Sequence, residues 1–190
     1  MRRQLMAIPL GVVLLFSLVG LGQGQGVGIV KITDFDAAAF ELPEGLAIDA
    51  RGNMYVAMAP TGEIKRVTPD GTVSTFARLP APEGEGPVLA GLRFSDAGEL
   101  YAALGSHRPG TQGIWRISAD GARQELFAPM ELDTLPNDIQ FWNGELYVSE
   151  SIFGNIWKFT RQGQAILWKA DPLMVGDPDF VVVFPSAPTG

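Results

Sequence analysis

The chain has three tyrosines, Tyr55, Tyr101 and Tyr147, and 46 residues separate each from the next. A constant interval of this size marks one supersecondary unit used several times. The surroundings repeat too. LPEGLAIDARGNMYVAM (Leu42 to Met58), VLAGLRFSDAGELYAAL (Val88 to Leu104) and LPNDIQFWNGELYVSES (Leu135 to Ser151) are expected to superimpose with no gap. Gly52, Gly98 and Gly144 each fall three before the tyrosine. In a repeat chain, function is sought at equivalent positions where the copies differ.

Each copy reads as four short strands between turn signals. In the first, the spacing predicts an inner strand from Leu46 to Asp49 and a second from Met54 to Met58. A third runs from Ile64 to Val67 and a fourth from Val73 to Ala77. Apolar and polar residues alternate, β-branched and aromatic types fill the strand slots, and helical periodicity is absent. Four-stranded units at this period are blades of a β-propeller. A β-sandwich also has short strands, but has no reason to repeat one turn and one tyrosine three times. The expected fold is therefore all-β, a partial propeller over 28–190 with blades near 42–80, 88–130 and 135–174.

The ends read differently. Arg2 and Arg3 precede an apolar run from Leu5 to Leu21 and a small-residue stretch from Gly20 to Gly26. That is the order of a secretory signal peptide, expected over 1–24, with an uncleaved N-terminal anchor as the rival. Either reading exports the domain to a secreted or periplasmic location. Loss of the two arginines takes the formal charge from −7 to −9. Such an acidic domain is expected to bind neither nucleic acid nor, beyond the leader or anchor, a membrane. With no cysteine there is no disulfide, thiolate metal site or cysteine nucleophile. Gly28 to Asp36 (GIVKITDFD) resembles a fourth strand ahead of the first inner strand, the kind that completes a last blade in closed propellers. Three blades do not close a ring, and permitted codons for Phe184 to Gly190 read in another frame as Pro-Leu-Gly-Ala-Asn-Gly. A truncated or frameshifted reading is the resulting expectation, and with it an inactive or unstable product with exposed flanks.

Propeller ligands bind over the central channel, where the residues leading into the inner strands form a ring. Those positions are Glu44, Ala90 and Asn137, followed by Gly45, Gly91 and Asp138. A carboxylate and an amide oxygen are hard donors suited to Ca²⁺, Mg²⁺ or Mn²⁺. An Asx-turn at Asn137-Asp138 and a solvated Glu44 account for the same residues without a ligand. Glu85 lies in a longer loop at the wrong distance from its tyrosine. His107, the only histidine, sits in the longest loop within a copy and reads as a solvated residue that could touch substrate. Glu150 reads as a turn acid or a residue of the channel mouth. Trp115 and Trp157 occupy matched positions that suit packing between blades. The Asp70-Gly71 and Asp120-Gly121 pairs read as hairpin turns.

Pro43-Glu44-Gly45 before an inner strand, Pro136-Asn137-Asp138 and LYVSES (Leu146 to Ser151) resemble the senescence-marker-protein/gluconolactonase superfamily of six-bladed propellers. Strictosidine-synthase-like, paraoxonase and NHL-repeat proteins are similar as well. The resemblance runs from Gly28 to about Asp179, half of a full member. It implies a divalent metal, often Ca²⁺, held by Glu44, with Asn137 binding the metal or the substrate; Asp138, Glu150 and His107 are the candidate substrate contacts by their positions alone. The family's later metal Asn and catalytic Asp have no counterpart in this sequence. The implied activity is a metal-dependent lactonase or ester hydrolase acting on a small molecule. An exported propeller that binds without chemistry, and an enzyme similar to streptogramin lyases, are the alternatives.

Overall fold

The computed structural model describes residues 30–80 and 87–175. The chain divides into residues 1–30 and 31–190, and the description below concerns the second unit. The expected signal peptide, Glu85 and the C-terminal stretch from 176 lie outside the described residues. Among the described residues no helix is long and apolar enough to cross a membrane.

Among the described residues twelve strands form three four-stranded antiparallel sheets, each a meander of consecutive strands. Blade 1 holds β1 (Pro43–Ile48), β2 (Met54–Met58), β3 (Glu63–Val67) and β4 (Val73–Arg78). Blade 2 holds β5 (Val88–Phe94), β6 (Leu100–Gly105), β7 (Gly113–Ile117) and β8 (Gln124–Pro129). Blade 3 holds β9 (Pro136–Trp142), β10 (Glu145–Glu150), β11 (Asn155–Phe159) and β12 (Ala165–Ala170). This is the expected propeller architecture. The hairpins close where the sequence placed them: Gly71 and Gly121 adopt positive φ of 86° and 77°. Beside them, Asp70 and Asp120 accept the backbone N–H of Thr72 and Ala122, each at 3.1 Å.

The repeated tyrosine clasps neighbouring blades. Tyr55 meets Phe76 of its own outer strand edge-on at 4.7 Å and Phe94 of the next inner strand at 4.9 Å. Tyr101 stands in the same way between Phe127 at 5.2 Å and Phe141 at 5.1 Å. Such pairs add about 0.5–1.5 kcal/mol each beyond the area they bury. Around them lie two apolar cores, one between blades 1 and 2 with Leu89, Leu92 and Trp115, the other between blades 2 and 3 with Ile139, Val148 and Phe159. Trp115 and Trp157 pack into these cores as expected. The Trp115 indole N–H donates to Thr111 O at 2.9 Å, whereas the buried Trp157 N–H finds no partner.

Three details depart from the sequence reading. The third copy does not superimpose without a gap. Ile48 pairs with Met54 and Phe94 with Leu100, but the third inner strand runs on until Trp142 pairs with Glu145. Asn143 and Gly144, at φ 51° and 76°, make that hairpin a two-residue turn with both residues left-handed, so one residue is missing relative to the other copies. Second, the inner strands begin earlier than Leu46 and its equivalents, because pairing resumes beyond an irregularity. Pro43 pairs with Met58, Val88 with Gly105 and Pro136 with Glu150.

Third, residues 31–36 join no ladder among the described residues, although they take an outer strand's place. A side chain at Gly71 would meet Ile32 O at 2.9 Å, just as one at Gly121 would overlap Phe76 O and one at Gly163 Phe127 O. Phe35 then packs on Val56, Met58 and Val67 where Leu79 and Met130 pack in the later copies.

Candidate functional site on the axial face

The ladder irregularities are the site. In each blade two inner-strand residues oppose one residue of the second strand: Glu44-Gly45 oppose Ala57, Ala90-Gly91 oppose Ala103, and Asn137-Asp138 oppose Ser149. A β-bulge of this kind bends the strand and re-aims a side chain. Repeated three times, it turns Glu44, Ala90 and Asn137 toward one axis on the face where inner strands begin. The loops leaving second strands open on the same face, because the start of each inner strand pairs with the end of its neighbour.

Close approach around the axis requires small residues. A Cβ at Gly45 would overlap Ala90 O, and a Cβ at Gly91 would lie 2.5 Å from Asn137 O and 2.8 Å from Asp138 Cα. The third copy carries Asp138 at that position, so the polar side chain stands on the one bulge that no following strand crowds among the described residues.

Glu44 is solvent-accessible, yet partial burial among the inner strands, and next the Asp138 carboxylate, push its carboxyl above the ordinary glutamate range. Neither carboxylate has an ion-pair partner among the described residues. Asn137 donates its Nδ2 to Ser151 Oγ at 2.8 Å, which leaves Oδ1 as an acceptor with no bond among the described residues. Asp138 accepts the Ile139 N–H at 2.8 Å, and its own N–H donates to Ser149 Oγ at 3.1 Å. Three expected site residues, Glu44, Asn137 and Asp138, thus share one face, brought together from blades 1 and 3.

Glu150 has a different place. It is almost fully buried. Its Oε1 accepts the N–H of Leu135 at 2.9 Å and Ile152 at 2.7 Å, and its Oε2 accepts that of Phe153 at 2.8 Å. Three backbone N–H groups converge on this carboxylate, whose work is to pin the entry to β9 and the loop after β10. This is the turn acid of the sequence reading rather than an open contact at the channel mouth. His107 stands exposed on the loop after β6 at φ 56°, its Nδ1 donating to Leu132 O at 2.9 Å. The buried Gln112 ties the same loop down, accepting the N–H of Ser106 and His107 and donating to Thr134 O. His107 therefore sits on the ligand-side loops, held apart from the bulge residues.

Ser149 and Ser151 were missed from sequence. The signal was present: Ala57 and Ala103 stand where Ser149 does, Ala59 and Gly105 where Ser151 does, and Met58 and Leu104 where Glu150 does. Blade 3 is polar at successive repeat positions where its sisters are small or apolar. Elsewhere, an open groove of about 350 Å³ lined by Asp96, Glu99 and Arg161 lies among the turns of the opposite face, away from these residues.

The fold and its axial bulges define a stretch of β-propeller with a polar third blade. Residues 23–101 match the SMP-30/Gluconolactonase/LRE-like region. Among solved structures, the chain is similar to the gluconolactonase XC5397 from Xanthomonas campestris, with a TM-score of 0.55 and 21% identity over 70% of this chain and 48% of that one. It is similar to virginiamycin B lyase from Staphylococcus aureus at a TM-score of 0.53 and 20% identity, over 66% of this chain and 40% of that one. A nidogen/laminin complex gives 0.52 and 15%, over 65% and 45%. No curated protein matches the chain. It spans less than half the length of each of these structures. The chain thus resembles the SMP-30/gluconolactonase superfamily in sequence over 23–101 and is a partial β-propeller in fold.

Proposed function

We propose that the axial face binds a hard divalent cation, Ca²⁺ by the chemistry of its donors, and that the protein is a metal-dependent lactonase or ester hydrolase acting on a small molecule. One observation carries the reading: among the described residues Glu44 and Asp138 have no cationic partner, and the Oδ1 of Asn137 has no bond, while burial and then the Asp138 charge raise the Glu44 carboxyl. Like charges held this way are relieved by a cation, and all three donors are oxygen. Among the described residues no group of three or more His, Cys, Asp or Glu is placed to hold a metal ion. The fit is to an open site with two carboxylates, one amide and room for further ligands.

A bound cation would supply Lewis-acid polarisation of an ester carbonyl and stabilise charge developing on its oxygen. The chain's own residues do the rest. Ser151 fixes the rotamer of Asn137, Ser149 anchors the bulge through the Asp138 N–H, and Glu150 locks the strand entry that carries both. His107, tethered through Nδ1, presents the other edge of its ring at the rim where substrate would enter.

The fold alone is shared with a virginiamycin B lyase and a nidogen/laminin complex, so the test is chemical. Hydrolysis of a panel of five- and six-membered lactones is measured with Ca²⁺, with a chelator, and in Glu44→Gln. The expected result is cation-dependent turnover that falls at least a hundredfold in the variant. Turnover indifferent to both chelator and variant would remove the reading. Cation binding without turnover would favour the alternative, an exported propeller that binds without chemistry.

A further inference from the structure

The groove on the face opposite the axial site is a second place where the third copy departs from its sisters. About 350 Å³ in volume, it lies between the β5–β6 turn of blade 2 and the β9–β10 and β11–β12 turns of blade 3. A concavity of this size suits a small molecule fixed by a few polar groups. Arg161 forms one wall. Its equivalents are Pro69 and Ala119, each two residues before the hairpin glycine. A Cβ at Gly52 would meet Pro69 Cγ at 3.6 Å, whereas one at Gly144 would lie 2.9 Å from a guanidinium nitrogen of Arg161. The missing side chain at Gly144 thus lets the guanidinium lie down on the turn beside the groove.

The facing wall carries acid. Glu99 is drawn toward Arg116, whose Nε lies 3.9 Å away and donates to Glu125 at 2.7 Å. Asp96 has no such partner. In blade 1 the turn acid is Asp49, which accepts the N–H of Arg51 and Asn53. In blade 2 Ser95 takes that position and accepts the Glu99 N–H at 3.2 Å, so Asp96, one residue further on, holds no turn. Among the described residues neither Arg161 nor Asp96 has a hydrogen bond or ion pair, and they do not pair with each other. The half-buried Phe141, packed edge-on against Tyr101, supplies an apolar wall.

We propose that this groove binds a free amino acid with an apolar side chain. Arg161 takes the carboxylate, Asp96 takes the ammonium, and Phe141 meets the side chain. A guanidinium receives a carboxylate through two parallel N–H bonds, a geometry that a lysine does not reproduce. A cation and an anion held apart along one groove are both satisfied by a ligand that carries both opposite charges. A simple anion satisfies only the first. The inference is independent of the cation site, which lies on the axial face.

L-Leucine is the probe, measured by equilibrium dialysis against the full chain. Saturable binding is expected. N-acetyl-leucine, which lacks the ammonium, and leucinamide, which lacks the carboxylate, should each bind at least tenfold more weakly. Arg161→Gln and Asp96→Asn should each weaken leucine binding at least tenfold. Both side chains are exposed, so neither substitution removes a core contact, and circular dichroism checks that the variants remain folded. Arg161→Gln should leave Ca²⁺ affinity unchanged, which separates this groove from the axial face. Absence of saturable binding at millimolar leucine would overturn the inference, as would binding indifferent to both substitutions. N-acetyl-leucine bound as tightly as leucine would reduce the groove to an anion site and overturn it too.

Discussion

Glu150→Ala is expected to destabilise the protein by about 3–5 kcal/mol, because it removes a buried carboxylate that three backbone N–H groups share, each such bond to a charged group contributing about 1.5–3 kcal/mol. The three donors belong to Leu135, Ile152 and Phe153. Leu135 immediately precedes Pro136-Asn137-Asp138, so losing the carboxylate loosens the bulge that aims the two site residues. Glu150→Gln keeps Oε1, which serves Leu135 and Ile152, and loses the acceptor for Phe153, so its effect should be intermediate. Urea unfolding of the two variants and the parent measures this order. Equal midpoints for all three would mean that water replaces the carboxylate without penalty.

Gly91→Ala carries the second large effect. The new methyl would lie 2.5 Å from Asn137 O, 2.8 Å from Asp138 Cα and 3.0 Å from Ile139 N, all backbone atoms of the neighbouring inner strand. No side-chain rotation relieves such contacts, so β5 and β9 must separate. Overpacking of this kind is destabilising by about 1–3 kcal/mol, occasionally more. The separation also moves Asn137 and Asp138 away from Glu44. The expected outcome is a lower unfolding midpoint together with weakened cation binding. At Gly98, in an outward turn, nothing lies within 4 Å of the Cβ position, and φ is +79°. Gly98→Ala thus carries only the strain of its left-handed backbone and should leave cation affinity unchanged, which separates damage to the ring from general destabilisation.

The repeat was legible because its signals are local. Tyr55, Tyr101 and Tyr147, the glycines three before them and the Asp-Gly turns each report a short stretch of backbone, and together they set the number of strands. What escaped depends on ladder counting between strands. Glu44 was placed ahead of its strand, although it stands within it on a bulge, and a bulge has no composition of its own. The missing residue in the third hairpin was hidden because the tyrosine interval stays at 46 while the stretch between Tyr101 and β9 carries one residue more. Asn137 and Asp138 were found through repeat equivalence, which carries positions across blades. Glu150 was ambiguous, since a sequence shows an acid and hides whether backbone donors surround it. The position of residues 31–35 was half-legible: their strand-like pattern was visible, whereas their docking on blade 1 depends on contacts with Gly71 and Val56.

Calorimetric titration of the protein with Ca²⁺, beside Glu44→Gln and Asn137→Ala, tests the axial site most directly. Binding is predicted in the parent, with loss in Glu44→Gln and weakening in Asn137→Ala. Because burial and Asp138 raise the Glu44 carboxyl above the ordinary range, the protonated form persists to higher pH. The cation needs the ionised form, so affinity in the parent should climb with pH through that raised value. A folded parent that binds no Ca²⁺, Mg²⁺ or Mn²⁺, or one whose affinity is untouched by either substitution, would contradict the account.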